Sequence, residues 1–409
     1  MKVLLSAYAC SPVGGSELGV GWDCACAVAE HHEVIVITRT VFQSLIEAEL
    51  KRAPRKNLSF VYYDLPSYCR PFGIGDPDKP TQIYYVLWQR GIRRVARALL
   101  AKHDISIIHH VTFVKYWAPS FLATLPVPFV WGPVGGGECA PIRFWTGFSF
   151  RGKVYEFLRD AARWLQEHNP SVRRTARNAA VTLATSEQTA ERVSRIGGRN
   201  VQVYAAIGMP EDEIALLDKS KAPDPAVFRF VSVGRLLHWK GFHLGIAAFA
   251  KAAIPNAEYW IVGDGPENHR LAALAESLGV GDKVKFWGLL PREEALRRLA
   301  QSDVLVHPSL HESGGGVCLE AMAARCPVIC LNLGGPAVLA SGGAGIVVDA
   351  TDVTETERQL AEAMQRLSSD RALCKRMGET GQRNVNERYL WRSKAEHYSA
   401  LYAQVLKAE

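Results

Sequence analysis

The chain has 409 residues, 48% of them hydrophobic and 22% charged, with a formal net charge of +7. At about 150 residues per domain this length predicts two or three domains, and the apolar content excludes a wholly disordered chain. The charge is uneven: residues 1–205 hold 25 Lys+Arg against 16 Asp+Glu, a net of +9, whereas the remaining 204 hold 23 against 25, a net of −2. A basic half suits nucleic acid, an anionic membrane surface or an acidic ligand, or is simply an unevenly solvated surface.

The opening MKVLLSAYACSP carries one Lys and an apolar run of strand length only, so a secretory signal is not expected and a cytoplasmic protein is. No run of about 18 uncharged apolar residues occurs, so no bilayer span is expected either. Nine cysteines, without a CxxC pair, read as buried reduced thiols, and Cys326 and Cys330 lack a second ligand pair at zinc spacing.

Lys2 to Tyr8 reads as a buried strand, Ser16 to Glu30 as a helix after a Gly pair, and Glu33 to Thr38 as a second strand. Strands follow at Ser59–Tyr63, Ile105–His109, Pro128–Trp131, Ala180–Thr185 and Val201–Tyr204. A basic helix is expected at Gln89–Lys102, and two helices over Val154–Asn178, broken at Pro170. Gly208 to Pro225 is polar and contains prolines, and reads as a linker. The alternation then restarts, with strands at Phe228–Val233, Tyr259–Val262, Val284–Phe286, Val304–His307, Val328–Leu331 and Ile346–Val348. Two such sets imply two doubly wound α/β domains with parallel sheets and ligands beyond the carboxyl ends of the strands, in a cleft between them. The aromatic-rich helix Trp391–Leu406 has an apolar face that needs a partner.

The segment HPSLHESGGGVCLEAMAARCPVICLNLGGPAV, His307 to Val338, carries the strongest constellation. A strand ends near His307, Glu312 sits in the following loop, and Gly314, Gly315 and Gly316 open a helix bearing Glu320. Glycines at a helix start let the backbone approach a ligand, and the unpaired N–H groups there bind phosphate. A carboxylate one turn into that helix can accept both hydroxyl protons of a ribose. One on the preceding loop can reach a sugar beyond the phosphates. The alternative is two solvated glutamates flanking a structural turn. In VSVGRLLHWKGF, Arg235 and Lys240 suit a pyrophosphate and its departure as a leaving group, or are two solvated cations. In SPVGGSELGVGWD, Gly14 and Gly15 lie between a strand and a helix, again suiting phosphate or sugar. The dinucleotide fingerprint fails: Cys24 stands where the third Gly belongs, and no acidic residue closes the second strand.

In this order Gly14 and Gly15, VGRLLHWKG, IVGDGPE (Ile261 to Glu267) and HESGGGVCLEAMA resemble a family 4 retaining glycosyltransferase (glycosyltransferase group 1) over nearly the whole chain. IIHHVTF and FVWGPVGGGE are similar to one branch of that family. The resemblance implies an α/β GT-B fold: two doubly wound Rossmann-like domains facing across a cleft. An acceptor-binding domain would span 1–205, with 390–409 as a helix crossing back to it, and a nucleotide-sugar donor-binding domain 206–389. The donor diphosphate is then expected at Arg235 and Lys240, the ribose at Glu320 and the transferred sugar at Glu312. Backbone contacts are expected from Ser313, Gly314, Gly315, Gly316 and Val317, with Gly15, next to Gly14, approaching from the facing domain. The loops holding Gly263 and Gly265 and spanning Trp287–Leu290 would surround the base. Many family members carry a His in the loop after the strand corresponding to Pro128–Trp131. Here that loop reads Gly132-Pro133-Val134-Gly135, so His109 is expected on the acceptor side, with His110 and Glu138 as alternatives.

The implied reaction moves a hexose-type sugar from a nucleoside diphosphate to a saccharide or lipid-linked acceptor hydroxyl, with retention, in polysaccharide, lipopolysaccharide or glycolipid synthesis. No residue is nominated as a carboxylate nucleophile, so same-face attack is preferred, the leaving phosphate taking the acceptor's proton. Neither metal nor organic cofactor is expected. A nucleotide-sugar epimerase of the same fold and a non-catalytic nucleotide-sugar-binding protein are the alternatives. Nucleic acid is not expected, because the basic helices lack interleaved aromatics and recognition motifs. Arg90, Arg93, Arg94 and Arg97 share one helix face, and Arg151, Lys153, Arg159, Arg163, Arg173, Arg174 and Arg177 add a second basic region. Peripheral contact with the anionic inner face of a membrane is therefore expected of the basic half.

Overall fold

Every strand expected from a short apolar run forms, and all pair in parallel in a computed structural model that describes residues 1–14, 17–66, 82–113, 115–219 and 226–408. The first seven are β1 (Lys2–Ala7), β2 (Glu33–Thr38), β3 (Leu58–Tyr62), β4 (Ile107–Thr112), β5 (Phe129–Val134), β6 (Val181–Ala184) and β7 (Val201–Val203), in the order β3-β2-β1-β4-β5-β6-β7. The next six are β8 (Phe228–Val233), β9 (Ala257–Val262), β10 (Val284–Gly288), β11 (Val304–His307), β12 (Val328–Leu331) and β13 (Gly345–Val348), in the order β10-β9-β8-β11-β12-β13.

Strand residues alternate between the two faces of a sheet, so an unbroken apolar run is stable only when both faces are covered. β1 shows this directly. Val3, Leu5 and Ala7 pack with Trp22, Val28, Tyr398 and Tyr402, while Leu4 and Tyr8 pack with Tyr85, Trp88 and Trp131. The unpartnered apolar face of the last helix, Trp391–Lys407, is satisfied here, because Tyr398, Leu401, Tyr402 and Val405 belong to that core. The break at Pro170 also forms: one helix spans Phe150–Glu167 and the next Pro170–Asn178, with the Asn169 side chain capping it by accepting from the Ser171 N–H.

The chain divides into two compact units, Met1–Gly137 with Ala161–Gly208 and Trp391–Glu409, and Glu138–Asp160 with Met209–Leu390. This corrects the expected extent of the first domain, because residues 138–160 belong to the second. The cause is packing: Ala140, Phe144 and Phe148 are buried in one cluster with Phe228, Phe230, Phe242 and Phe249. Half of the expected linker is also ordered, as the helix Glu211–Lys219, while residues 220–225 lie outside the described residues.

Candidate functional site

In the second unit the strand order reverses between β8 and β11, the central neighbours whose onward connections run to opposite edges. Open α/β sheets bind ligands outside the carboxyl ends of the strands at such a point. The segments leaving these two strands are Gly234–Gly241 and Pro308–Gly315, the two richest in candidate residues.

Backbone hydrogen bonds stitch these segments and the loop after β9 together. The Leu310 N–H donates to the Trp239 carbonyl at 2.8 Å, the Leu236 N–H to the Asp264 carbonyl at 2.9 Å, and the Glu267 N–H to the Leu236 carbonyl at 3.1 Å. Approach is so close that a Cβ on Gly263 would stand 2.0 Å from the Gly234 carbonyl oxygen, and one on Gly265 2.5 Å from that of Leu236. Gly241 is the strictest case: its φ is 69°, in the left-handed region, and its added Cβ would stand 1.9 Å from the Pro308 carbonyl oxygen. Strain and overlap with rigid backbone add, so Gly241→Ala is expected to destabilise the second unit by about 3 kcal/mol or more. Chemical denaturation checks this, and an unshifted midpoint would remove Gly241 from the account.

On this frame the charges converge. Lys240 Nζ donates to Glu312 Oε2 at 2.7 Å, and His307 Nε2 lies 2.5 Å from the same oxygen. Burial alone would push the Glu312 carboxyl up, but His307 and Lys240 outweigh it and hold the group well below the usual carboxylate range. Arg235, on the same loop as Lys240, is exposed and makes no ion pair or side-chain hydrogen bond with the described residues. Gly315 caps the helix Gly316–Ala323 in the left-handed conformation, φ 78°, so Gly316 and Val317 form the first turn, where N–H groups lack partners within the helix. Glu320, one turn on, meets Arg292, whose Nη1 lies 3.1 Å from Glu320 Oε1 while Nη2 bonds both carboxylate oxygens of Glu213. Burial, opposed by Arg292, raises the Glu320 carboxyl above its ordinary value.

Residues 138–160 reach the same loops. The Ser313 hydroxyl donates to Glu138 Oε2 at 2.6 Å, and Glu138 is buried. Glu156, also buried, lies 3.1 Å from His238 Nε2 and 3.0 Å from His311 Nε2. Burial again opposes, but the bonds to the two histidines pull Glu156 down to about 2. Trp239 stacks between Tyr155 and His311, at 5.2 and 5.1 Å. Sequence reasoning missed His307, Glu156, His238, His311 and Arg292; the three histidines lie in the quoted segments and Arg292 at a helix start, whereas Glu156 lies where no motif could have signalled it.

The structure thus joins Lys240 to Glu312 and Ser313 to Glu138 through direct contacts, and sets Arg235, Gly263, Gly265, Gly314, Gly315, Gly316, Val317 and Glu320 on adjoining segments of one unit. Gly14 follows β1 in the first unit, with φ 115°, and Gly15 lies outside the described residues. His109 does not join the site. It is fully buried in β4, with Nδ1 2.6 Å from the Tyr402 hydroxyl and Nε2 2.6 Å from the Gly132 carbonyl oxygen. Both ring nitrogens are spent on the core, and burial lowers the imidazole to about 4. His110 is equally enclosed, between Tyr85 and Ser6. Of the acceptor-side alternatives only Glu138 touches a loop of the candidate site. A recess of about 350 Å³ lined by Phe228, Ser302, Asp303 and Arg371 lies at the amino ends of β8 and β11, away from this chemistry.

Residues 215–384 match the family model described as glycosyl transferases group 1, and residues 14–205 that of the glycosyl transferase 4-like domain. Among curated proteins the chain is similar to the lipopolysaccharide core biosynthesis glycosyltransferase LpsE of Rhizobium meliloti, 33% identical over 208 residues. That match takes in 50% of this chain and spans 58% of the relative's length. Among solved structures it is similar to the sucrose-phosphate synthase of Thermosynechococcus elongatus, with a TM-score of 0.66 and 21% identity over 100% of both chains. It is also similar to Anabaena HepE in complex with UDP, with a TM-score of 0.61 and 18% identity over 98% of this chain and 99% of that one. At these identities the likeness concerns the fold, which is GT-B.

Proposed function

The chain belongs to the group 1 glycosyl transferases, and from that premise we propose that it transfers a hexose-type sugar from a nucleoside diphosphate to a hydroxyl of a saccharide or lipid-linked acceptor, with retention at the anomeric carbon. The observation that carries the reading is the convergence of Lys240, Glu312 and the Gly314–Gly316 helix start at the reversal between β8 and β11. A diphosphate needs cations and N–H groups together, and these are the ones available. Lys240 and Arg235 take up the charge of the departing nucleoside diphosphate. Glu312, kept ionised by His307 and Lys240, accepts hydrogen bonds from hydroxyls of the sugar, and Glu320 does the same for the ribose once Arg292 yields to it. Ser313, oriented by Glu138, lies beside the sugar. The acceptor attacks from the face the phosphate leaves, and a phosphate oxygen receives its proton, so the protein supplies charge stabilisation rather than a base.

Two names bear on the substrates. HepE was solved with UDP, which favours a uridine diphosphate donor, and LpsE acts in lipopolysaccharide core biosynthesis, which favours a cell-surface saccharide acceptor. The test is a thermal-shift series over UDP-, GDP- and ADP-sugars. A donor at 100 times its dissociation constant adds ~2.7 kcal/mol to stability, and failure of all three classes to stabilise the protein would sink the donor assignment.

A further inference from the structure

The helix Phe150–Glu167 is built inside out. Its inward positions are small or charged: Gly152, Glu156 and Arg163 are buried. Its outward positions are apolar: Phe150 is 81% exposed, Phe157 64%, Leu158 59%, Trp164 61% and Leu165 61%. With Val154 and Ala161 these recur at i, i+4, i+7, i+8, i+11, i+14 and i+15, which at 100° per residue forms one stripe about 120° wide and about 22 Å long. A surface helix in water carries the opposite arrangement, and a contiguous exposed apolar patch of this extent marks a binding surface.

The charges beside the stripe identify what covers it. Arg151 stands exposed on one shoulder and Lys153 on the other, next to Asp160, and no charged residue falls within the stripe. Past the helix end, His168, Arg173, Arg174 and Arg177 line a shallow recess of about 550 Å³. The Trp164 and His168 rings lie 4.8 Å apart, so the stripe runs into that recess. A second copy of this chain would bring like charges together, whereas an anionic bilayer offers acyl chains to the stripe and phosphates to the cations. Trp and Phe beside cations suit the level of the headgroups. The arginines first expected to make such a contact are less suited. Arg93 Nε donates to Thr124 Oγ1 at 2.7 Å, the Arg90 guanidinium lies over the Phe121 ring at 5.3 Å, and Ile83 is the one exposed large hydrophobic among the described residues of their helix.

We propose that the helix Phe150–Glu167 is an interfacial anchor lying along an anionic bilayer, with its apolar stripe at the acyl-chain boundary and Arg151, Lys153, Arg174 and Arg177 among the headgroups. This goes beyond the transfer reaction and does not rest on it. The test is co-sedimentation of the whole chain, without donor, with vesicles of two parts phosphatidylcholine to one part phosphatidylglycerol, and with vesicles of phosphatidylcholine alone. The chain is expected to pellet with the anionic vesicles. The double variant Phe157→Ser/Leu158→Ser is expected to bind at least about tenfold more weakly, and Arg174→Glu/Arg177→Glu to lose the preference for anionic lipid. All four side chains are exposed, so unchanged denaturation midpoints are expected to accompany these losses. Failure of the unaltered chain to pellet, or equal pelleting by the apolar double variant, would overturn the proposal. So would a vesicle-free dimer abolished by Phe157→Ser/Leu158→Ser, which assigns the stripe to a second copy.

Discussion

Arg235→Ala and Lys240→Ala are each expected, on the proposed reaction, to lower turnover at saturating donor by at least ~100-fold, the scale of losing one preorganised charge-stabilising donor, but only the second is expected to lower stability as well. In the proposed reaction negative charge grows on the leaving diphosphate, and a cation already in position does not have to reorganise as it does so. The two residues differ in what they do before the donor arrives. Arg235 is exposed and its side chain makes no ion pair or hydrogen bond with the described residues, so truncating it is expected to leave the fold untouched. Lys240 shares Glu312 Oε2 with His307. Its removal leaves a largely enclosed carboxylate with one partner, which costs about 1–3 kcal/mol. Turnover with the donor saturated, and denaturation midpoints of both variants, read the two effects separately. Near-wild-type turnover in either variant would withdraw that cation from the reaction.

Mild acid is expected to unfold the first unit well above the carboxylate range. His109 and His110 are fully buried, and burial lowers them to about 4 and about 3. Each is neutral in the fold, while the unfolded chain takes a proton at about 6.5. Their contribution is therefore fully present above about 6.5 and is lost as pH falls from there toward the folded values. With two protons bound only on unfolding, stability falls by about 2.7 kcal/mol per pH unit through the middle of that window. His243, lowered to about 4 by burial, acts in the same direction in the second unit. Urea midpoints measured between pH 7 and 4.5 check this. A flat profile there would mean that the two imidazoles can charge without leaving the core.

The alternation of strands and helices was legible because a doubly covered parallel strand needs an unbroken apolar run, and few other structures tolerate one. The loops of the candidate site were legible for a related reason. Backbone-to-backbone approach demands glycine, so Gly241, Gly263 and Gly265 appear as punctuation. What stayed hidden depends on which surface a side chain meets. FRGKVYEFLRDAARWL has helical periodicity, but periodicity does not say which face turns inward, and here the charged one does. Glu156 is therefore a buried hub that reads in sequence like a solvated residue. Ala140, Phe144 and Phe148 signal a core without saying whose. His109 presents the reverse error, a strand-end histidine whose two nitrogens are taken by partners 23 and 293 residues away.

That last separation has a consequence for the order of synthesis. The core holding β1 needs Tyr398, Leu401, Tyr402 and Val405, which the ribosome adds after everything in the second unit. The half of the protein that begins first is thus the one that must wait, with part of the covering for one face of its sheet still unmade. During that interval the face bearing Val3, Leu5 and Val34 has Trp22 and Val28 over it but not the last helix, and the second unit, whose early contribution Glu138–Asp160 is already in hand, can close first.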